Sequence, residues 1–361
     1  MTTKPNGNGA LPSDVDPMAG HIGHLSPDQE ARLTELKAAC ARDGVYEPAT
    51  TPNEAVVLRY LRARKWSVPD ALQQLKNTEA WRETNKLHEL YDTIDADAFE
   101  DARKVYYMWS GRRDLEGRPV YVYEISHLKN NMASFERSST NLQSPTTASA
   151  AAADPIPGNL RTLCALYEHM TAFVLPMCDA LPDRPHPETP ISTTTHIVDV
   201  SGLGLMEFWN LKAHMQAAST LASAHYPGTL ERLYMVGTPL FFPTVWGWIK
   251  HWFDPVTTAK IHILAAADVA PTLRLAIRPA DLPRKYGGEL EWEYGMPPSA
   301  DAGIVRAVVG LKAEPDAWVG GPLRWVPQLE GGAKVVARGT VQGKQRDEVV
   351  AVFDSGEVKA A

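Results

Sequence analysis

The stretch "THIVDVSGLGLMEF" (195–208) has the pattern of a buried strand that turns sharply into a helix. Four of its first six residues are β-branched, which favours a strand, and two glycines separate them from a helical pattern over 206–225. The following residues predict a strand at 232–237, a helix at 243–252 and a strand at 260–264. Strands that alternate with helices indicate right-handed crossovers and a largely parallel sheet.

The same alternation extends toward the N-terminus. "GRPVYVYEI" (117–125) is rich in β-branched and aromatic residues and predicts a strand, and "NLRTLCALYEHMTAFVLPMC" (159–178) predicts a helix with an apolar stripe. Further upstream, Ser26 can cap a helix that has Pro27 at its first position and ends near Gly44. Two more helical patterns follow in "NEAVVLRYLRARKW" and "SVPDALQQLKNTEAWRE".

These patterns divide the chain into four parts. We predict a disordered tail over 1–25, a helical N-terminal lobe over 26–95, an α/β lobe over 96–290 and a C-terminal extension over 291–361. The Ser/Thr/Ala-rich segment 132–158 is predicted to be a mobile surface loop within the α/β lobe. In the extension, "AKVVARGTV" and "DEVVAVFD" predict a hairpin.

Composition narrows the class of protein. The chain has 361 residues, 44% of them apolar, and a net charge of -7, so a sizeable core is expected and nucleic acid is an unfavourable general partner. Cys40, Cys164 and Cys178 lack the CxxC spacing of a metal or redox motif and predict reduced thiols in the cytoplasm. Neither a secretory signal nor a transmembrane helix is predicted.

Several motifs imitate functional signatures. "HIGH" (21–24) resembles an aminoacyl-tRNA synthetase tetrapeptide but does not lie between a strand and a helix. Gly202 and Gly204 resemble a dinucleotide loop, yet Glu207 occupies the third glycine position, where its charge would oppose a pyrophosphate. A nominal triad can be assembled from a few scattered side chains, namely His196, Asp199, Ser223 and His225. We interpret all three as coincidental, and a nucleotide-dependent oxidoreductase remains the rival hypothesis.

Six blocks in a fixed order carry a family resemblance. They are "VLRYLRARKW", "GRPVYVYE", "HIVDVSGLG", "HYPGTLERLYMVGTP", "FDPVTTAKIHIL" and "LPRKYGG". Together, over about residues 26–290, they resemble the CRAL-TRIO lipid-binding family in its fungal phosphatidylinositol-transfer branch. The resemblance implies an α/β fold in which a mostly parallel sheet floors an apolar pocket, a gate helix closes that pocket, and one phospholipid is exchanged at membranes without covalent chemistry.

The resemblance assigns the gate to residues 240–253. This segment gathers several aromatic side chains, whose rings favour the headgroup zone of a bilayer, while Lys250 and His251 can face anionic headgroups. The alternative is a buried helix whose aromatics belong to the core. The predicted membrane contacts are Phe241, Phe242, Trp246, Trp248, Trp252 and Phe253.

The resemblance also implies two groups of ligand-contacting residues. A phosphodiester needs cations and hydroxyl donors, and an inositol ring offers many hydroxyls. The residues that match the family's inositol-lipid headgroup site are Arg64, Lys65, Asp114, Pro119, Thr257 and Lys260. A second pocket, used in the family for choline lipids, is assigned to Tyr107, Tyr121, Tyr167, Thr194 and His196.

The chain departs from the family at two places. Gly228 and Thr229 stand where inositol-lipid binders have Glu-Arg, and a Glu-Arg pair appears only at Glu231 and Arg232. A shift of three residues is close to one helical turn. The sequence therefore predicts that the displaced Glu-Arg pair partly takes the place of the family's pair. At the second departure, His196 replaces a hydroxyl residue, which changes size and donor pattern.

The predicted function is therefore a lipid-binding and transfer protein without catalytic activity. Phosphatidylinositol is the favoured ligand, with phosphatidylcholine, a sterol or haem as alternatives. Neither a cofactor nor a metal is expected. The predicted partners are a phospholipid, a transient membrane surface and a lipid kinase to which the ligand is presented. Cytoplasmic localisation with transient membrane association is expected.

Overall fold

The predicted parallel sheet is present, with one strand more than the sequence indicated. The computed structural model describes residues 16, 18–45, 54–128, 156, 158–311, 318–329 and 331–354. Its central sheet has the order β1-β2-β3-β4-β5, in which β2 to β5 are parallel and β1 is antiparallel to β2. The strands are β1 Met108–Arg113, β2 Pro119–Glu124, β3 Thr194–Asp199, β4 Leu230–Val236 and β5 Ile261–Ile263.

The unpredicted strand, β1, has a composition that disfavours strands. Its sequence "MWSGRR" includes Ser110 and Gly111, which lack the branched or aromatic side chains that pack well on a pleated surface. The strand forms because Trp109 pairs with Tyr121 of β2 and the Ser110 hydroxyl donates to the carbonyl of Val120 at 3.0 Å. Tertiary pairing therefore overrides local propensity at this edge of the sheet.

Five helices build the N-terminal part of the chain. Ser26 caps the first of them through a reciprocal capping box with Gln29, as the Ser-Pro pair predicted. Three of the helices enclose a core that includes Leu36, Leu61 and Leu75. The five are α1 Pro27–Arg42, α2 Glu54–Ala63, α3 Val68–Thr84, α4 Leu87–Thr93 and α5 Ala96–Arg103.

Helices of the α/β lobe cover both faces of the sheet. Tyr121 and Met235 belong to a large apolar cluster on one face, and Val120 and Val122 to a second cluster on the other. This alternation follows from the period of two along a strand. The helices are α6 Gly158–His169, α7 Leu175–Ala180, α8 Leu205–His225, α9 Phe242–Ile249, α10 Pro255–Ala259, α11 Val269–Arg274 and α12 Ala302–Ala307, and a π-helical turn, Met170–Val174, joins α6 to α7.

The C-terminal extension forms a second sheet that packs on the α/β lobe. The predicted hairpin is confirmed, because the sixth of the late strands pairs antiparallel with the third. The Tyr91 hydroxyl donates to the carbonyl of Leu323 at 2.6 Å, which joins the sheet to the helical part. The strands are β6 Val308–Val309, β7 Leu323–Pro327, β8 Ala333–Ala337, β9 Thr340–Val341, β10 Lys344–Gln345 and β11 Glu348–Phe353, of which β6, β11, β8 and β7 form the sheet.

The predicted disordered tail is wrong for its last eight residues, 18–25. Met18 is 4% exposed, and His21 is also buried. The segment folds because Asp16 accepts a hydrogen bond from the Met18 N–H at 2.8 Å, and successive turn bonds then place Met18 in the core. Residues 1–15 and 17 lie outside the described residues, as does most of the predicted loop at 132–158.

Among the described residues, no helix combines the length and the apolar character that a bilayer crossing requires.

Candidate ligand-binding site

Aromatic rings from four segments of the chain meet over the middle of the sheet. Tyr121 of β2 and His196 of β3 are register partners, and their rings stack with centroids 5.3 Å apart. The ring of Tyr107, the residue before β1, lies 5.6 Å from each of them, and the Tyr167 ring of α6 lies 5.4 Å from the Tyr107 ring. The structure thus brings together the residues of the predicted second pocket, which we call the tyrosine cluster.

His196 is held in one tautomer by its neighbour on the strand. The Thr194 hydroxyl donates to the carbonyl of Thr229 at 2.9 Å, so it accepts from His196 Nε2 at 2.8 Å. His196 therefore carries its proton on Nε2 and leaves Nδ1 as an acceptor. Burial lowers the pKa of His196 to about 4, which keeps the imidazole neutral near pH 7.

The tyrosine cluster presents buried polar groups that the protein does not satisfy. The Tyr121 hydroxyl has no hydrogen-bond partner among the described residues. Leaving such a group unpaired costs about 1–3 kcal/mol. The cluster adjoins a cavity of about 20 Å³ lined by Tyr107, Tyr121, Trp109, Leu166, His169, Arg103 and Pro298.

This cavity is too small for the phospholipid that the resemblance implies. A volume of about 20 Å³ holds roughly one water molecule. The rings of the tyrosine cluster occupy the space over this part of the sheet. A lipid would enter this space only if these rings moved.

Tyr226 belongs to the same group of rings and was missed by the sequence analysis. Its ring stacks on Tyr167 with centroids 4.4 Å apart, and its hydroxyl donates to Glu168 at 2.8 Å. Glu168 also receives both guanidinium branches of Arg82 from α3, at 2.6 and 2.7 Å. Tyr226 is the tyrosine of the "HYPGT" block, and its place in that block could have identified it. The sequence argument used only the two residues that follow the Tyr-Pro pair.

A cluster of cations surrounds one carboxylate at the start of β4. Lys260 Nζ donates to the carbonyl of Leu230 at 2.6 Å and lies 3.5 Å from Glu231 Oε2. Arg62 of α2 and Arg118 act on the same carboxylate, and together with Lys260 they hold the pKa of Glu231 below its usual value despite burial. We call Arg62, Arg118, Lys260 and Glu231 the cation cluster.

The cation cluster has more positive charge than its carboxylate neutralises. Three cations face Glu231, and Arg118 has one further partner, the Asp114 carboxylate at 3.6 Å. Desolvation is the main reason that the pKa of Lys260 is lowered, with Arg62 and Arg118 adding repulsion. Arg59, also in α2, is buried, and its Nε and Nη1 have no hydrogen-bond partner among the described residues. An anion would relieve this excess.

Of the predicted headgroup residues, only Lys260 lies in the cation cluster. Arg64 Nε donates to Gln74 at 2.8 Å, and the Thr257 hydroxyl donates to Asp254 at 2.6 Å at the start of α10. Lys65 is exposed and has a φ of 51°. Pro119 begins β2 and pairs with Arg113.

Asp114 has a structural role in the turn between β1 and β2. One of its oxygens accepts from the N–H groups of Glu116 and Arg118, each at 2.9 Å. The other accepts from the Thr195 hydroxyl at 2.7 Å. With both oxygens engaged and the side chain buried, Asp114 already has its hydrogen-bond partners within the protein.

The helical-turn argument for the displaced Glu-Arg pair is wrong. Glu231 and Arg232 lie in β4, where residues three positions apart point to opposite faces. Gly228 has a φ of 67°, and a Cβ there would lie 3.2 Å from the Cβ of Arg59. The glycine therefore fits a tight turn against α2, and Glu231 reaches Lys260 from the strand rather than from a helix.

Helix α9 buries one apolar face and exposes a tryptophan beside it. Phe242, Val245 and Ile249 are buried, while Trp248, about 90° around the helix from the middle of that face, is 44% exposed. The other predicted gate residues lie between these extremes, with Phe241, Trp246, Trp252 and Phe253 half-buried. The alternative of a fully buried core helix therefore describes only one face of α9.

A second element contributes exposed apolar groups beside α9. The Trp209 ring of α8 lies 5.4 Å from that of Trp248, and each side chain is 44% exposed. Leu205 and Met206, 44% and 70% exposed, share the face of α8 with Trp209. We call Leu205, Met206, Trp209 and Trp248 the aromatic patch; its α8 half was missed because "LGLMEFWN" was considered only as a dinucleotide loop.

The glycine loop and the nominal triad do not assemble into sites among the described residues. Gly202 has a φ of 71°, and a Cβ at Gly204 would collide with the Glu207 carboxylate, as in a tight strand-to-helix turn. The members of the nominal triad have unrelated partners. Asp199 lies 2.8 Å from Lys285 Nζ, His225 stacks on Trp81, and the Ser223 carbonyl accepts from Gln74.

Comparisons with known proteins agree with this architecture. The family model for the CRAL/TRIO domain matches residues 102–288, and the model for the CRAL/TRIO N-terminal domain matches residues 32–77. The chain is 29% identical over 282 residues to the SEC14 cytosolic factor of Yarrowia lipolytica, a match that covers 78% of this chain and 52% of that protein. It is 27% identical over 285 residues to the Sec14 cytosolic factor of Schizosaccharomyces pombe, covering 79% and 90%.

Among solved structures, the crystal structure of Sfh5 superimposes with a TM-score of 0.50. The superposition covers 68% of this chain and 83% of that chain at 14% identity, so it supports likeness of fold alone. The chain thus spans most of one fungal relative and about half of another, and the matched regions contain the sheet, the tyrosine cluster and α9.

Proposed function

The chain belongs to the CRAL/TRIO domain family, and on that premise we propose that it binds one phospholipid between its central sheet and α9 and exchanges it at membranes. The observation that carries this proposal is that α9 buries one apolar face and exposes Trp248 beside it. That face contains Phe242, Val245 and Ile249, and the Trp248 ring lies next to Trp209. Such a helix can leave the sheet when a bilayer offers its apolar side chains another apolar surface.

The surroundings of the aromatic patch support membrane contact. Lys212 Nζ lies over the Trp209 ring, 4.8 Å from its centroid, and Lys250 is exposed directly after α9. Tryptophan rings favour the interface of a bilayer, and lysines favour anionic headgroups. The patch is therefore the surface at which we propose that the protein docks.

Phosphatidylinositol is the ligand that we favour. A phosphodiester would supply the negative charge that the cation cluster lacks. The acyl chains would replace the tyrosine rings over the sheet. No covalent chemistry is part of this function, and presentation of the bound lipid to a lipid kinase is an extension of it.

Native mass spectrometry of the protein purified from a eukaryotic host tests the proposal. A retained phospholipid of one-to-one stoichiometry is the expected result, with phosphatidylinositol as its main component. A retained dinucleotide would favour an oxidoreductase instead. An absorption band in the Soret region would indicate haem, for which Nδ1 of His196 is the candidate ligand. Protein without any retained ligand that also fails to take up lipid from vesicles would contradict the proposal.

A further inference from the structure

Two histidines and a glutamate meet where the N-terminal segment touches the α/β lobe. Ligand atoms of His24, His186 and Glu188 all lie within 4.8 Å of one another. His24 Nε2 is 3.7 Å from Glu188 Oε1, and His186 Nδ1 is 3.4 Å from the same oxygen. His24 comes from the "HIGH" tetrapeptide, and the other two come from "HPE" (186–188), which precedes β3.

We propose that His24, His186 and Glu188 bind a zinc ion that fastens residues 18–24 to the loop before β3. Two imidazole nitrogens and one carboxylate oxygen form a ligand set that zinc uses in proteins. Ligand atoms about 2.05 Å from a tetrahedral zinc stand roughly 3.3 Å apart. The two distances to Glu188 Oε1 are within half an ångström of that spacing, so small side-chain movements complete the site.

A fourth residue orients the first imidazole. Asp16 Oδ2 lies 2.7 Å from His24 Nδ1, so Nδ1 carries the proton and Nε2 is left as the ligand atom. A carboxylate behind a metal-binding histidine is the common outer-shell arrangement of zinc sites. When neither a cation nor a proton is bound to His24 Nε2, the lone pair of this nitrogen lies near the negatively charged Glu188 carboxylate. A bound cation removes this repulsion.

The backbone on both sides is ordered before any metal binds. In the N-terminal segment, the His24 N–H donates to the carbonyl of His21 at 2.9 Å, and the Gly20 N–H donates to the carbonyl of His24 at 3.1 Å. In the loop, the Arg184 guanidinium donates to the carbonyls of His186, Pro187 and Thr189. Preorganisation of this kind lowers the cost of assembling ligands from distant parts of the chain.

The two segments are also joined directly. The Thr189 hydroxyl donates to the carbonyl of Ile22 at 3.2 Å, and His21 Nδ1 lies 3.3 Å from an Arg62 guanidinium nitrogen. The segment that carries His24 therefore also carries His21, which contacts the cation cluster. The ligand side chains remain accessible, with 22% of His24 and 55% of Glu188 exposed, so a metal ion can enter from solvent.

Calorimetric titration of the full-length, tag-free chain with zinc chloride, after treatment with a chelator, tests this site. We expect one equivalent to bind, and we expect cobalt(II) in its place to give the visible absorption of a tetrahedral ion. Asp16→Ala should weaken binding by about 10- to 100-fold, as loss of an orienting partner does. His24→Ala and His186→Ala should weaken it further, because each removes a ligand.

His88→Ala is the matched control, because His88 is an exposed histidine of α4 that belongs to none of these contacts. Glu188→Gln serves as the second ligand variant if an alanine variant fails to fold, which circular dichroism of the metal-free protein would reveal. Equal zinc affinity in the wild type and in the ligand variants, or the absence of stoichiometric binding, would overturn the proposal.

Discussion

The Lys260 side chain forms an internal ion pair and is also the proposed contact for a lipid phosphate. Its ammonium contacts the Leu230 carbonyl and Glu231, yet Arg62 and Arg118 compete for the same carboxylate. An incoming phosphate could therefore recruit Lys260 without leaving Glu231 unpaired. The structure gives Thr257 a different role, since its hydroxyl is bound to Asp254 at the start of α10.

Lys260→Ala should reduce phosphatidylinositol transfer while sparing phosphatidylcholine transfer. Loss of a charge-assisted hydrogen bond costs roughly 1.5–3 kcal/mol, which corresponds to a factor of about 10 to 100 in affinity. Parallel transfer assays with both labelled lipids give the measurement, and Lys344→Ala, an exposed lysine of the C-terminal extension, is the control. Equal losses in the transfer of both lipids would contradict a headgroup role and would indicate that Lys260 supports the fold or the gate.

His169 makes the stability of the fold sensitive to acid. Burial lowers its pKa to about 3, whereas an unfolded histidine has a pKa near 6.5. As the pH falls, the unfolded chain is protonated first. The stabilisation is therefore fully present above about pH 6.5 and is lost as the pH falls toward the folded-state value.

His169→Phe should flatten the pH dependence of the free energy of unfolding. The ring already packs between Phe99 and Phe173, with centroids 5.2 Å from each, so phenylalanine fits the space. Between about pH 6 and pH 4 the slope should fall by about 1 kcal/mol per pH unit. Urea unfolding at several pH values measures it, and slopes that coincide would contradict the lowered pKa. A residual slope is expected from His196 and His225.

At the scale of elements, α9 and the start of α8 act together. The exposed rings of Trp209 and Trp248 are in contact, so the proposed movement of α9 would separate an apolar contact between the two helices. The turn at Gly202 and Gly204 fixes where α8 begins, and thereby where Leu205, Met206 and Trp209 lie. The aromatic patch therefore consists of side chains from both α8 and α9.

Trp248→Ala combined with Trp252→Ala should lower lipid exchange between vesicles more than it lowers the melting temperature. Each aromatic side chain can bury on the order of 150–250 Å², and Trp248 is substantially exposed in the free protein. Fluorescence exchange assays and thermal unfolding measure the two effects. Trp325→Ala, in β7 of the C-terminal sheet, is the control. Unchanged exchange in the double variant would exclude the gate, and parallel losses would favour a core role.

At the scale of the whole molecule, one buried ion pair joins the helical part to the α/β lobe. Arg82 of α3 binds both oxygens of Glu168 in α6, and Tyr226, which follows α8, donates to the same carboxylate. Glu168 is 2% exposed. Three parts of the chain that are distant in sequence therefore depend on a single charge that solvent does not reach.

Arg82→Ala should lower the free energy of unfolding by about 3–5 kcal/mol, because it leaves Glu168 buried without its partner. Chemical denaturation measures the loss. The double variant Arg82→Ala with Glu168→Leu should recover part of it, since the buried charge is then absent. If Arg82→Ala were as stable as the wild type, the Arg82–Glu168 pair would contribute nothing to the association of the helical part with the α/β lobe.

Local patterns in the sequence determined the secondary structure and the family. The predicted strands 117–125, 195–200, 232–237 and 260–264 correspond to β2 to β5 within about two residues, because each has a β-branched or apolar run that favours a strand. The N-cap at Ser26 followed from the Ser-Pro pair at the start of a helical pattern, and the structure adds the reciprocal bond with Gln29. The ordered blocks identified the family.

Only the tertiary structure decided which side chains meet. The strand β1 forms because it pairs with β2. Residues 18–25 are ordered because Met18 is buried in the core and His21 contacts the Arg62 guanidinium. Glu231 reaches Lys260 from a strand, although its spacing had suggested a helix. His24 meets His186 across about 160 residues of chain. Such contacts depend on packing between distant segments, which no local period encodes.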